Sequence, residues 1–297
     1  MPIDPSVAIG AELPDVTFSW SAGDVALYHL ALGAGADPLD PGELGYVLED
    51  RLRVLPTFGV VAPGLRTFEP PAVRFPGIEI DLARVLHGTQ AITVHRPIPP
   101  AGTGVARPRV TDVWDKEKAA VIVQETVVTD SAGDPLWTAR SSIFARGEGG
   151  FGGERGPSER PEVPDREPDH VLDVPTLPQQ ALLYRLCGDR NPLHADPDFA
   201  GTAGFSRPIL HGLCTWGMVC KAVVDATLDA DVTRVGDYAA RFAGVVFPGE
   251  TLRIQVWSEG NRRAVAASTV ERGAEVLRGR LVAASSHPNG HPLPLDS

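Results

Sequence analysis

Leu186–Gly217 reads LCGDRNPLHADPDFAGTAGFSRPILHGLCTWG. The stretch places Asp189, Asn191, His194, Asp196 and His211 in a run broken by Pro192, Pro197 and Pro208. Polar, titratable and backbone-distorting residues alternate there with apolar ones, the pattern of a loop that presents chemistry from a rigid scaffold. The same residues also suit a capped turn between two helices, because Asp and Asn before Pro are ordinary turn formers. A helix follows at once. Over Gly212–Leu228, Leu213, Trp216, Cys220, Val223 and Val224 recur at spacings of three and four, which predicts one buried stripe.

Downstream of that helix the period changes to two. Tyr238–Phe247, Thr251–Ser258, Ala264–Glu271 and Val276–Ala284 read as strands, with turns at Gly249, Gly260 and Gly273 and a polar, frayed tail after Ser285. Upstream, Gln179–Leu186 reads as a short helix. Before it, residues 147–170 (GEGGFGGERGPSERPEVPDREPDH) are Gly, Pro and charge, a composition that reads as a linker. Another meander precedes the linker: Ala91–Ile98, Ala106–Trp114, Lys118–Thr129 and Leu136–Arg146. Leu27–Gly33 has helical character, and residues 51–90 read as loops with short helices. No convincing counterpart of the long helix appears before Ala91. The segments HRPIPPAGTGVARPRVTDV and AGVVFPGETLRIQVWSE echo each other as strand, turn and strand, so an internal duplication is expected. A helix followed by a meander that wraps it is α+β. The expected division is residues 1–148, a linker over 149–170, and 171–297.

With 297 residues, 43% hydrophobic and 22% charged, the chain is long enough for two globular domains. A net charge of -11 argues against nucleic-acid and anionic-membrane partners, which need a basic face. Cys187, Cys214 and Cys220 are odd in number and clustered, so no disulfide framework is expected. The N-terminus lacks the basic-then-apolar layout of a signal peptide, and no apolar run nears the roughly 20 residues of a membrane span. The expectation is a cytoplasmic protein.

By chemical capability, a partly desolvated Asp189 suits a general base, and His194 exchanges a proton near neutral pH. Asn191, biased toward an extended backbone by Pro192, would orient a water between them. Such a water is poised to add to an activated double bond. The N–H of Gly212, at a helix start, suits an oxyanion. Each residue has a rival reading. Asp189 also reads as a turn cap. His194 with Asp196 reads as a metal-ligand pair, but no further His or Cys stands at ligand spacing, so no metal is expected. His211 with Cys214 suggests a nucleophile pair, but Cys214 lies one turn into an apolar helix and reads as a core thiol. His87 and His95 read equally well as structural or functional.

Tyr184-Arg-Leu-Cys-Gly-Asp189-Arg-Asn191-Pro-Leu-His194-Ala-Asp-Pro, with Gly204-Phe205-x-x-Pro208-Ile-Leu-His211-Gly212-Leu, resembles the signature of the enoyl-CoA hydratase 2 family, also called MaoC-like dehydratases. His87-Gly88-Thr-Gln90, His95-Arg-Pro-Ile-Pro-Pro and Arg146-Gly-Glu-Gly-Gly-Phe-Gly-Gly resemble the first half of the two-repeat members. The resemblance implies a double hot-dog fold of two antiparallel sheets, each wrapped round a helix, with the first helix degenerate. It implies reversible hydration of trans-2-enoyl-CoA to (3R)-3-hydroxyacyl-CoA. Asp189 would take a proton from water, His194 would help deliver one to C2, Asn191 would steady the water, and Gly212 would hold the oxyanion. The first half would accommodate the acyl chain. No cofactor is implied. Arg190 and Arg207 are candidates for the CoA phosphates by proximity in sequence, and His211 is a further candidate substrate contact. Acyl carrier protein is an alternative carrier, and a homodimer is expected from open sheet edges. Two other functions fit the fold: an acyl-thioester hydrolase, and a non-catalytic acyl-binding module.

Overall fold

The structure is a computed structural model that describes residues 3–158 and 160–284; the tail expected to fray after Ser285 lies outside them. The strands are β1 (Val16–Trp20), β2 (Val73–Phe75), β3 (Ile78–Ile80), β4 (Val85–Val94), β5 (Gly102–Asp115), β6 (Ala119–Thr129), β7 (Pro135–Arg146), β8 (His170–Pro175), β9 (Val235–Phe242), β10 (Thr251–Glu259), β11 (Arg262–Thr269) and β12 (Glu275–Ala283). The helices are α1 (Pro5–Ala8), α2 (Ala22–Ala31), α3 (Pro41–Leu44), α4 (Phe58–Val61), α5 (Gln180–Tyr184), α6 (Pro197–Thr202) and α7 (Gly212–Thr227).

The two halves repeat one plan. In the first the strand order is β1-β5-β6-β7-β4, and in the second, read from its outer edge, β8-β10-β11-β12-β9. The expected two sheets are joined. β4 and β9, the inner edge strands, pair antiparallel from Thr89↔Arg241 to Thr93↔Asp237, so that one ten-stranded sheet runs through the molecule. This pairing satisfies edge N–H and C=O groups that each half would otherwise expose.

α7 is the long central helix foreseen for the second half. Cys214, Trp216, Val219, Cys220, Val223 and Val224 are fully or almost fully buried on it, and the Trp216 ring stacks on Tyr238 of β9 at 4.8 Å. Its place in the first half is held by α4 and the 3-10 turn Ala62–Gly64, where Pro63 and Gly64 end the helix after two short turns. The long first-half helix is degenerate, as expected. A regular helix does precede Ala91, however: α2 starts at a capping box, in which Ser21 accepts from the Asp24 N–H and Asp24 accepts from the Ser21 N–H. It packs on α5, and Tyr28 and Leu32 lie against Gly217 of α7. A single apolar core therefore spans both halves.

The described residues of 147–169 contain no helix or strand, but they are held down. The Asp115 carboxylate accepts N–H bonds from Gly150 and Gly152 at 2.8 and 2.7 Å. Farther along, Arg160 pairs with Glu275, and Trp257 donates to the Arg166 carbonyl. Asp169 accepts from the Ser258 N–H, and β8 begins one residue later.

Candidate active site

The loop after α5 is shaped by one glycine and three side-chain caps. Gly188 has φ +110°, and a Cβ there would lie 2.0 Å from the Gly64 carbonyl oxygen, so no other residue fits. Asp189 then accepts the Asn191 N–H at 3.0 Å, and Asn191 accepts the Leu193 N–H at 3.0 Å. Pro192 opens the 3-10 turn Pro192–His194. Asp196 caps α6. These are the turn-forming roles that Asp and Asn before Pro also allowed, and they hold the polar side chains in place rather than replacing their chemistry.

His194 is 8% exposed, and its Nδ1 lies 2.9 Å from the Ile209 carbonyl oxygen. A carbonyl only accepts, so Nδ1 carries the proton and Nε2 keeps its lone pair. Burial pushes the His194 ring below its ordinary pKa, and the neighbouring Asp189 carboxylate opposes that shift. Burial thus favours the neutral ring.

Asp189, Asn191, His194 and Gly212 line one cavity of about 570 Å³. The first half supplies much of its apolar wall, including Val73, Phe75, Leu86, Ile143 and Phe144. Gly212 is the first residue of α7, and its N–H donates to no acceptor among the described residues. A Cβ at Gly212 would lie 3.2 Å from the Phe242 ring, which packs over the helix start. An acyl-thioester oxygen placed here would meet a free N–H at the positive end of a 16-residue helix.

Three other expected contacts are placed elsewhere. His211, expected to touch substrate, is 1% exposed and does not reach the cavity wall; its ring lies behind His194, stacked at 3.8 Å. Arg190 is off the wall too, with its guanidinium over the Phe68 ring at 5.8 Å. Exposed Arg207 sits over Phe247 at 4.7 Å, just outside cavity-lining Val246. Sequence proximity does not by itself put a side chain on the cavity wall, because successive residues of a tight turn point in different directions. The cavity also holds residues that the loop could not reveal: His87 and Gly88 of β4, and Arg241 and Phe242 of β9. A register shift between His87 and Thr89 re-aims the His87 ring, which packs 4.9 Å from Phe242. Burial holds His87 neutral, down to about 4. The His-Gly pair within a strand was the available signal for that bulge.

Asp189, His194 and His211 offer ligand atoms within 4.8 Å of one another. The two rings stack at only 29°, so their in-plane lone pairs do not converge on a common point about 2 Å away, as a metal site needs. Cys214 is the core thiol that its position implied: it is fully buried, 3.6 Å from the Ala31 carbonyl oxygen, with its thiol pushed far above the ordinary range by burial.

The first half carries a shortened copy of the loop. Asp37-Pro38-Leu39-Asp40-Pro41 matches Asn191-Pro192-Leu193 and Asp196-Pro197, and Asp40 caps α3 as Asp196 caps α6. Two residues, His194 and Ala195, have no counterpart, and Gly35 stands two places before Asp37 as Asp189 stands before Asn191. A second cavity of about 380 Å³ lies at the other end of the β4–β9 pair, lined in part by Val54, Pro56, Val94 and Ile98. It lacks any histidine.

Two family models divide the chain between them: an MFE-2 hydratase 2 N-terminal domain over residues 18–147 and a MaoC like domain over residues 159–279. The enoyl-CoA hydratase ChsH3 of Mycobacterium tuberculosis is 58% identical over 94% of this chain and 98% of its own. The crystal structure of a MaoC-like dehydratase from Phytophthora capsici superposes with TM-score 0.83 at 29% identity, covering 96% of this chain and 99% of that one. A Mycobacterium tuberculosis protein described as a double hot-dog fold shares the architecture at TM-score 0.55 and 16% identity, covering 95% and 99% of the two chains. The chain belongs to the MaoC-like dehydratase family, in the two-repeat form with a hydratase 2 N-terminal half.

Proposed function

We propose that the protein reversibly hydrates trans-2-enoyl-CoA to (3R)-3-hydroxyacyl-CoA. The observation that carries this reading is the pairing of two proton acceptors, the Asp189 carboxylate and His194 Nε2, on one cavity wall with the free Gly212 N–H. A water between the two acceptors donates one O–H to each and turns a lone pair toward C3. As the C–O bond forms, Asp189 takes one proton, and the C2=C3 electrons move toward the thioester oxygen on Gly212 N–H. Asp189 then returns that proton to C2. His194 keeps the other O–H oriented. Because Nε2 bears no proton in this tautomer, the delivery to C2 first expected of His194 passes to Asp189. The thioester itself acidifies C2, so the reaction calls for no metal or redox group.

The first half, residues 1–148, accommodates the acyl chain in this reading, and residues 171–297 carry the chemistry, joined by 149–170. The apolar wall that the first half gives the cavity supports that division. Three free, buried cysteines fit a reducing compartment such as the cytoplasm, and no helix among the described residues is long and apolar enough to cross a membrane. A homodimer belongs to the same proposal; its inner edges are already paired within the chain, which leaves β1 and β8 as the open edges. Light scattering at the dimer mass would support it. The activity itself is tested with crotonyl-CoA and a longer trans-2-enoyl-CoA. Loss of enoyl absorbance without free thiol is expected, and no loss with either substrate overturns the proposal.

A further inference from the structure

His211 is fully enclosed yet serves no purpose that a hydrocarbon would not serve as well by volume. Its Nδ1 has no partner among the described residues, and neither has the hydroxyl of Tyr184, whose ring lies 4.9 Å away. Buried polar atoms left unpaired are costly. Leucine or phenylalanine would avoid that cost, so packing alone does not account for the imidazole.

What it touches shows the use. The His211 ring stacks on His194 at 3.8 Å and 29°, and its Nε2 lies 3.4 Å from the Asp189 backbone carbonyl. Its own backbone is the N-cap of α7, one residue before Gly212. One buried residue therefore abuts the general base's turn, the face of the water-orienting imidazole and the oxyanion-binding helix start. We propose that His211 is a positioning residue, fixing the plane of His194 and the turn of Asp189 from behind, with Tyr184 as its backing. The inference rests on the hydration reading for its consequence in rate, but its geometric content stands apart from turnover.

The geometry assigns separate parts to the two faces of the ring. Stacking holds the His194 plane, so that Nδ1 stays on the Ile209 carbonyl and Nε2 stays toward the water. The Nε2 contact to Asp189 sets how far the carboxylate turn stands from that plane. A shift of about 1 Å in such a pair is enough for a rate loss on the order of a hundredfold.

The test uses the full-length protein with His211→Phe, His211→Gln, His211→Ala and Tyr184→Phe. His211→Phe keeps the stack and loses the Nε2 contact; a fall in kcat of about tenfold is expected, with KM within about twofold. His211→Ala loses both, and about a hundredfold fall is expected, partly restored in His211→Gln. Tyr184→Phe should be milder than any of these. Long-range nitrogen–proton NMR of His194 supplies a reading independent of activity. Wild type should show the Nδ1–H tautomer, and His211→Ala a mixture of tautomers or an exchange-broadened ring, with far-ultraviolet circular dichroism unchanged. A rise in KM at constant kcat would make His211 a substrate contact and overturn the proposal. So would an unaltered His194 tautomer in a folded His211→Ala protein. An inactive wild type with the expected NMR contrast would instead remove the hydration reading and leave the positioning role.

Discussion

In the proposed mechanism Asp189 and His194 divide the work by environment rather than by residue type. One is a half-buried carboxylate tied by an N–H bond from Asn191, and the other is a buried imidazole locked by the Ile209 carbonyl. Asp189→Asn should lower kcat at least about a hundredfold if Asp189 carries the proton, and His194→Ala should lower it more than about tenfold if the ring orients the water; a loss below about tenfold in either would remove its assigned role. The pH profile carries a second expectation. Burial lowers the His194 pKa, so the ring stays neutral below the pH at which a free histidine charges. The acid limb of kcat/KM attributable to it should fall below pH 6.5; a limb at or above that value would contradict the buried neutral tautomer. At this scale the sequence grouped Asp189, Asn191, His194 and Gly212, and the structure brings all four to one cavity wall. It did not show that Arg190, Arg207 and His211 lie off that wall, because side-chain direction within a proline-rich turn is set by dihedrals that spacing does not encode.

Among elements, the regular and strongly periodic ones were readable. The meanders and α7 appear in the order that alternation and the three-four repeat gave, most within a few residues, but β4 starts six residues before the expected Ala91 and β9 ends five before the expected Phe247. β1, β8 and the β2–β3 hairpin went unread because strands of three to six residues give too few alternations against Pro- and charge-rich flanks. The start of α2 was marked only by Ser21 and Asp24, a capping box before a stretch of small residues. The loop between α5 and α6 depends on the left-handed Gly188 more than on any other backbone position. Gly188→Ala should destabilise the protein by at least about 2 kcal/mol in urea unfolding, from backbone strain plus the clash with Gly64, and should cost activity. An unchanged midpoint would show that the turn can relax.

Across the whole molecule, duplication supplies the architecture and asymmetry supplies the function. The strand orders of the halves match, but only one half keeps a long helix and the Asp–His loop, while the other contributes apolar wall and His87. That the halves would share one sheet and one core was not legible, since edge pairing between β4 and β9 joins residues some 150 positions apart. The shared interior sets a pH limit on stability. His29 and His87 are held neutral by burial, each down to about 4, and His194 and His211 are lowered as well. Between pH about 6.5 and 4 the unfolded chain binds more protons than the folded one, so stability is full above that window and falls as pH drops through it. Calorimetry should show Tm falling from pH 7 to 5; a flat Tm would show that burial does not hold these rings neutral. The central claim is that one water adds across C2=C3 with the thioester left intact. Turnover of a trans-2-enoyl-CoA in ¹⁸O water tests it directly. The account predicts one ¹⁸O in the C3 hydroxyl of an intact (3R)-3-hydroxyacyl-CoA, whereas label in a free carboxylate with release of CoA thiol would contradict it.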